Sequence, residues 1–217
     1  EDLNERCAEY AAIGAKFTKW RAVIKIGNDI PTQECIDANM KALADYAKIV
    51  QNNNMVPMVE PEVLMDGEHS AQSCFEATAN CLKTLFSMLD ANDVNLKGTI
   101  LKPNMVVSGI DAPIQASVSE VAELTLKVLK ENVPSDLAGI AFLSGGQPDL
   151  LATEHLDAMN KIGGLPWPLS FSYGRALQQP ALKAWMGQLD NKEAAQEAFS
   201  HRACLLYTSP SPRDVEE

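Results

Sequence analysis

Short continuous apolar runs along this chain alternate with longer stretches in which apolar residues recur at helical spacing. The runs Trp20–Ile26, Met55–Val59, Gly98–Leu101, Gly139–Leu143 and Leu169–Tyr173 predict strands. Near-continuous apolar composition is what parallel strands covered on both faces require. After Thr32, residues Ile36, Met40, Leu43, Ala47 and Val50 fall on one helical stripe. Ser73 with Glu76, and Ser117 with Glu120, fit the capping-box spacing, in which two side chains satisfy free amides at a helix start. Pro180 fits a first helical turn, with Ala181, Leu182, Trp185 and Met186 behind it.

Polar residues stand where each strand stops: Arg21, Glu62, Lys102, Ser144 and Tyr173. The steps between them each hold one helix and its loops, so each step is one βα unit. Repeated βα units imply an α/β fold with a parallel sheet, either doubly wound or closed into a barrel. A doubly wound sheet would carry a glycine-rich fingerprint after an early strand, and none is present. The expected fold is therefore a (β/α)8 TIM barrel. Five units are visible where a closed barrel has eight, so the missing units belong on the N-terminal side.

Composition narrows the partners only slightly. The chain has 217 residues, is 46% hydrophobic and carries a formal net charge of -11. That charge argues against nucleic acid, but a few cations converging in one cleft can still hold an anionic substrate. No apolar run approaches the ~20 residues that cross a bilayer, and no basic and apolar leader is visible, so no membrane partner is expected and the cytoplasm is the expected location. The five cysteines show no paired spacing, which excludes a disulfide framework or zinc site by pattern; Cys74 and Cys81 read as buried thiols. His69, His155 and His201 have no metal-ligand partner at useful spacing and read as surface residues. The methionines and Trp185 read as packing residues.

Lys102 carries the most information. It ends an apolar strand, and Pro103 stops the ladder after it. Such a lysine either snorkels to water or is a desolvated amine able to attack a carbonyl; the pattern alone leaves both open. Lys19 ends near the same barrel mouth, where a second cation would disfavour protonation of Lys102. Glu60 and Glu62 alternate around Pro61 and share one face, placing two carboxylates for proton transfer. Ser144-Gly145-Gly146 lets backbone amides approach an anion, and Gly174-Arg175 follows the next strand. Barrels often build a phosphate site from their last two strand-end loops.

At these residues the chain resembles the class I (Schiff-base) fructose-bisphosphate aldolases. The segments Lys19-Trp20-Arg21, Val59-Glu60-Pro61-Glu62, Leu101-Lys102-Pro103-Asn104-Met105, Phe142-Leu143-Ser144-Gly145-Gly146-Gln147 and Phe171 to Leu177 match that family in order and approximate spacing. The resemblance implies an eight-stranded βα barrel that reversibly cleaves fructose 1,6-bisphosphate to dihydroxyacetone phosphate and glyceraldehyde 3-phosphate. It implies no cofactor and no metal, because a protonated imine on Lys102 is the electron sink. It gives Glu60 the proton shuttle, Glu62 the positioning of the lysine, and Lys19 and Arg21 places along the substrate. Ser144, Gly145, Gly174 and Arg175 would hold a phosphate. A cytosolic homotetramer is the assembly it implies for the full-length protein.

The chain departs from that family at both ends. The first strands are missing, with an aspartate and a further lysine that the family places at its active site. The C-terminal tail with its terminal tyrosine is replaced by Cys204 to Glu217. The stretch from Cys204 to Asp214 can be reverse-translated into a transposase-type sequencing adapter. The expected division is therefore a partial aldolase barrel over 1–203 and a non-native tail over 204–217. The resulting expectation is an inactive fragment of an active enzyme. Two alternatives are a barrel that binds without catalysis and a Schiff-base aldolase acting on another ketose phosphate.

Overall fold

The computed structural model describes residues 2–208. A first helix, α1 (Leu3–Ala12), precedes five strands in strict alternation with helices: β1 (Phe17–Ile24), α2 (Gln33–Asn52), β2 (Val56–Val63), α3 (Ala71–Ala91), β3 (Ile100–Leu101), α4 (Val118–Asn132), β4 (Gly139–Phe142), α5 (Asp149–Ile162) and β5 (Leu169–Phe171). Helices α6 (Arg175–Trp185) and α7 (Lys192–Thr208) follow. All neighbouring strands are parallel and the spatial order is β1-β2-β3-β4-β5. A doubly wound sheet reverses its strand order at a switch point; this one does not. Helices α2 to α6 each pack on the next, as a single layer on one side of the sheet does. The chain is thus an open arc of a barrel wall.

The register explains why strands with so many charges are stable. Lys19 lies opposite Met58, Arg21 opposite Glu60 and Val23 opposite Glu62, and Met58 lies opposite Ile100. Because side chains alternate across a sheet, Lys19, Arg21, Met58, Glu60 and Glu62 share the concave face. The other face carries Ala22, Ile24, Val59, Val63, Leu101, Ile140, Phe142 and Leu169, all in the core beneath the helices. The strands therefore alternate in β1 and β2, where continuous apolar runs were expected. Their concave face is lined by charge pairs instead of packed against a second layer.

Strand β1 starts and ends earlier than the expected Trp20–Ile26, and the later end of β2 is explained by β3. Strand β2 continues past Val59 and through Pro61 to Val63. Along β2, odd-numbered residues direct their backbone groups toward β3: Lys102 N donates to Val59 O at 2.8 Å. Strand β3 leaves the ladder at Pro103, so Pro61 lacks an N–H at the one place where no strand remains to receive it. The next odd residue, Val63, donates instead to Asn104 Oδ1 at 3.0 Å. Asn104 is buried and also donates to Thr78 Oγ1 and Met105 O, each at 3.0 Å. A side chain thus substitutes for the missing ladder.

Helix starts follow side-chain capping. Thr32 and Ser117 accept from the amides of Cys35 and Glu120, as the spacing predicts. Helix α3 begins three residues earlier than expected, because Ser70 rather than Ser73 is its cap, accepting from Ser73 N at 3.1 Å. Pro180 is not in a first turn but inside α6, whose cap is Gly174. Trp185 and Met186 stand exposed on α6 rather than packed. Helix α7 runs past Ala203 to Thr208, with Leu206 buried; residues 209–217 lie outside the described residues. No helix among the described residues is long and apolar enough to cross a membrane.

Candidate active site

Neighbouring strands β1, β2 and β3 bring together the four groups expected to carry chemistry. Lys102 is 6% exposed and Glu60 3%. Lys102 Nζ lies 3.1 Å from Glu60 Oε1, and Lys19 Nζ lies 2.9 Å from Glu60 Oε2. One buried carboxylate therefore bridges two amines, one enclosed and one half open. Lys102 does not snorkel; its strand ends inside the mouth and its ammonium position is walled in. Glu62, one turn of the pleat beyond, pairs with Arg21 Nε. The glutamate that the resemblance assigns to positioning Lys102 is thus bonded to the strand β1 arginine. That hydrogen bond raises the basicity of Arg21, more than burial lowers it.

The anion side of the mouth is built from the next two loops. Gly145 and Gly146 have φ of 56° and 89°, the left-handed region that glycine reaches without strain. Ser144, just before them, is buried, and Gln147 N closes the turn on Ser144 O at 2.9 Å. A Cβ on Gly146 would sit 3.3 Å from Arg175 Nη2, so the guanidinium after β5 lies flat against the loop after β4. Arg175 opens α6 and is exposed, and it makes no ion pair among the described residues. Helix N-termini favour anions, and here one meets a cation and a two-glycine turn. A cavity of about 400 Å³ flanks this contact, lined by Gly146, Asp149, Arg175 and Lys183 among others.

Glu62, Lys102, Ser144, Gly145, Gly174 and Arg175 lie at or just beyond the C-terminal ends of strands, whereas Lys19, Arg21 and Glu60 project from within β1 and β2, so Arg21 does not mark the end of its strand as expected. The structure pairs five of them as two neighbouring sets, Lys19–Glu60–Lys102 and Arg21–Glu62, and sets Arg175, next to Gly174, against the turn that follows Ser144. Among the described residues no three His, Cys, Asp or Glu side chains converge as a metal site would require.

Against known proteins, a family model described as fructose-bisphosphate aldolase class-I matches residues 1–209. The chain belongs to the class-I fructose-bisphosphate aldolase family. It is 53% identical over 204 residues to a protein of Xanthomonas campestris pv. campestris named "Probable fructose-bisphosphate aldolase class 1", covering 94% of this chain and 61% of that protein. It is 49% identical to fructose-bisphosphate aldolase B of Gallus gallus, covering 94% of this chain and 56% of that protein. A Plasmodium falciparum fructose-bisphosphate aldolase, solved with TRAP and a small-molecule inhibitor, superposes with a TM-score of 0.94 at 42% identity, over 96% of this chain and 61% of that one. The chain thus spans about three-fifths of its relatives' length, in keeping with the five strands of an eight-stranded barrel.

Four residues were misread or unassigned from sequence. His155 is buried at 2% exposure, not on the surface; its Nδ1 is 2.6 Å from Gln147 Oε1. Burial pushes its pKa down to about 4. The signal was available, since His155 shares a helical stripe with Ala152 and Met159, both buried. His69 is half-buried with its acidity raised by burial, and His201 is exposed as expected. Asn104 and Arg202 carry no signal in a one-dimensional pattern, because both act on backbone groups far away in sequence.

Proposed function

We propose that the full-length protein cleaves fructose 1,6-bisphosphate reversibly to dihydroxyacetone phosphate and glyceraldehyde 3-phosphate through an imine on Lys102. The observation that carries this reading is the enclosed Lys102 amine within hydrogen-bonding distance of Glu60. A nucleophilic lysine needs a partner to take its proton and later return one. Glu60 stands where it can accept the ammonium proton. Lys102 Nζ then adds to the C2 carbonyl of the open-chain sugar, and Glu60 protonates the departing hydroxyl so that water leaves. Glu60, ionised again once water has left, takes the 4-hydroxyl proton as the protonated imine draws electrons from the C3–C4 bond. The aldehyde departs and an enamine remains. Protonation at C3 and hydrolysis release dihydroxyacetone phosphate and restore the amine.

Ser144, the amides of Gly145 and Gly174, and Arg175 would bind the ketose phosphate, with Lys19 and Arg21 along the rest of the sugar. Glu62 and Arg21 hold each other in place. The electron sink in this scheme is covalent, so it calls on neither a metal nor an organic cofactor. Phosphorylated ketoses are the substrate class, and a cytoplasmic homotetramer is the state expected of the full-length protein. Borohydride reduction in the presence of dihydroxyacetone phosphate tests the reading: the full-length protein should gain one stable adduct, mapped by peptide mass to Lys102. An unmodified Lys102 would refute it.

The chain taken alone should be inactive and should self-associate. Strand β1 presents a free edge with Phe17 62%, Trp20 41% and Val23 41% exposed, and unpaired apolar edges recruit other strands. A monodisperse monomer of this chain that cleaves fructose 1,6-bisphosphate would contradict this.

A further inference from the structure

Pro180 poses a problem that the fold solves from outside its helix. In an α-helix the carbonyl of Ala176 would accept from the amide four residues on, and at that position stands Pro180, which has no N–H. The carbonyl lies in the first turn of α6, beside Arg175. It is not left bare: Arg202 Nε, from α7, donates to Ala176 O at 3.0 Å. The same guanidinium donates through Nη2 to Asp149 O and to Thr153 Oγ1, each at 2.9 Å, and the Asp149 carboxylate lies 3.7 Å from Nε. Arg202 is 4% exposed, so these bonds are made out of water and are charge-assisted.

Asp149 opens α5, directly after the Ser144–Gly146 loop, as Ala176 follows Gly174 and Arg175. One buried guanidinium therefore grips the first turns of the two helices that follow the two candidate phosphate loops. We propose that Arg202 is a positioning residue for the phosphate site: by tying the start of α6 to the start of α5 it sets the distance between Arg175 and the Gly145–Gly146 turn. This rests on the phosphate assignment made above. The planar fork matters, because two carbonyls on different helices are held at once and an ammonium cannot span them. Tyr173 adds a second tie to α5 through Oη, which donates to Ala152 O at 2.8 Å, but it reaches the strand end and not α6. Removing Arg202 leaves Ala176 O with no donor and frees α6 to shift relative to the turn. Binding geometry is sensitive to shifts of that scale.

The test uses the full-length protein carrying Arg202→Met, Arg202→Lys, or Pro180→Ala with Arg202→Met. Inorganic phosphate binding is measured by calorimetry. Borohydride trapping on Lys102 is measured with dihydroxyacetone phosphate and, separately, with unphosphorylated dihydroxyacetone. Arg202→Met should weaken phosphate binding and raise the half-saturating concentration of dihydroxyacetone phosphate by about tenfold. Trapping of dihydroxyacetone should stay within about twofold of the parent, because Lys102 and Glu60 are untouched. Pro180→Ala returns an intrahelical donor to Ala176 O, so the double variant should recover part of the loss. If Arg202→Met does not fold, Arg202→Lys gives the same reading, with a smaller loss confined to the phosphorylated ketone. Equal losses for both ketones, or phosphate binding that is unchanged, would overturn the proposal. A parent protein that forms no adduct with either ketone sinks the imine reading, while phosphate calorimetry still decides the role of Arg202.

Discussion

Replacing Glu60 with Gln removes one charge and almost no volume, and it falls on the group that both lysines share. Its two contacts are unequal. Lys19 has a side chain 42% exposed, so water and salt screen that pair and it is worth about 0.2–1 kcal/mol. Lys102 is enclosed, and stripping the counter-charge from a buried partner typically costs about 3–5 kcal/mol. The expected loss for Glu60→Gln in the full-length protein is therefore about 3 kcal/mol or more, nearly all through Lys102. Lys19→Met should cost less than about 1 kcal/mol.

The decisive variant is the double substitution Glu60→Gln with Lys102→Met, which removes both buried charges together. Pairs replaced by apolar groups of similar size are often neutral or stabilising, so the double variant should be more stable than Glu60→Gln alone. A coupling energy of about 2 kcal/mol or more is expected from the cycle. Urea denaturation followed by circular dichroism measures all four proteins. In parallel, Glu60→Gln should slow imine trapping on Lys102 by about 10²–10⁴-fold, the usual contribution of a positioned acid–base group. Additive effects in the cycle, with coupling near zero, would mean that the Lys102–Glu60 contact is not a charged buried pair. The proton relay drawn from it would then fail.

Gly146→Ala would place a Cβ 3.3 Å from Arg175 Nη2 on a residue with φ of 89°; steady-state kinetics on the full-length protein should show a KM for fructose 1,6-bisphosphate raised about tenfold or more with a smaller change in kcat. His155 gives a pH prediction. Its folded pKa, pushed by burial from 6.5 to about 4, lies below its unfolded value, so the unfolded chain binds the extra proton first. Stability tied to this group is present above about pH 6.5 and is lost as pH falls toward 4, by up to about 3 kcal/mol. Urea midpoints between pH 7 and 4 should fall less steeply in His155→Asn, and an unchanged slope would remove His155 as the cause.

Much of this site was legible in the sequence, for a physical reason. In a parallel sheet a strand can end where a polar residue faces the mouth, so Glu60, Lys102 and Ser144 announce themselves as the first polar groups after apolar runs, whereas Arg21 sits within its strand and carries no such signal. The glycine pair at 145 and 146 signals a backbone conformation that other residues resist. What stayed hidden depends on partners distant in sequence. Strand β2 runs on through Pro61 although a proline cannot donate to a ladder, and nothing local says that β3 has already turned away there. Pro180 was read as a helix start for the same local reason, and only Arg202, far along the chain, makes an interior proline tolerable. Ser70 and Ser73 both have capping chemistry, and the choice between them is made by where the chain leaves β2. His155 was misplaced because residue type was weighed above its position on the buried stripe of α5.

These hidden groups share a task. Asn104 supplies an acceptor for Val63 N where β3 lapses, and Arg202 supplies a donor for Ala176 O where Pro180 has none. Each repairs a backbone defect caused by a proline within a few residues of the mouth: Pro103 beside Lys102, and Pro180 in the helix that Arg175 opens. The prolines interrupt regular hydrogen bonding close to Lys102 and Arg175, at the residue after Lys102 and at the carbonyl of Ala176. An unpaired backbone group buried beside them would cost about 1–3 kcal/mol, so the repair has to come with the interruption. Replacing the repairing side chain should therefore disturb the neighbouring functional group more than its own distance from the substrate would suggest, and Arg202 is where that consequence can be measured.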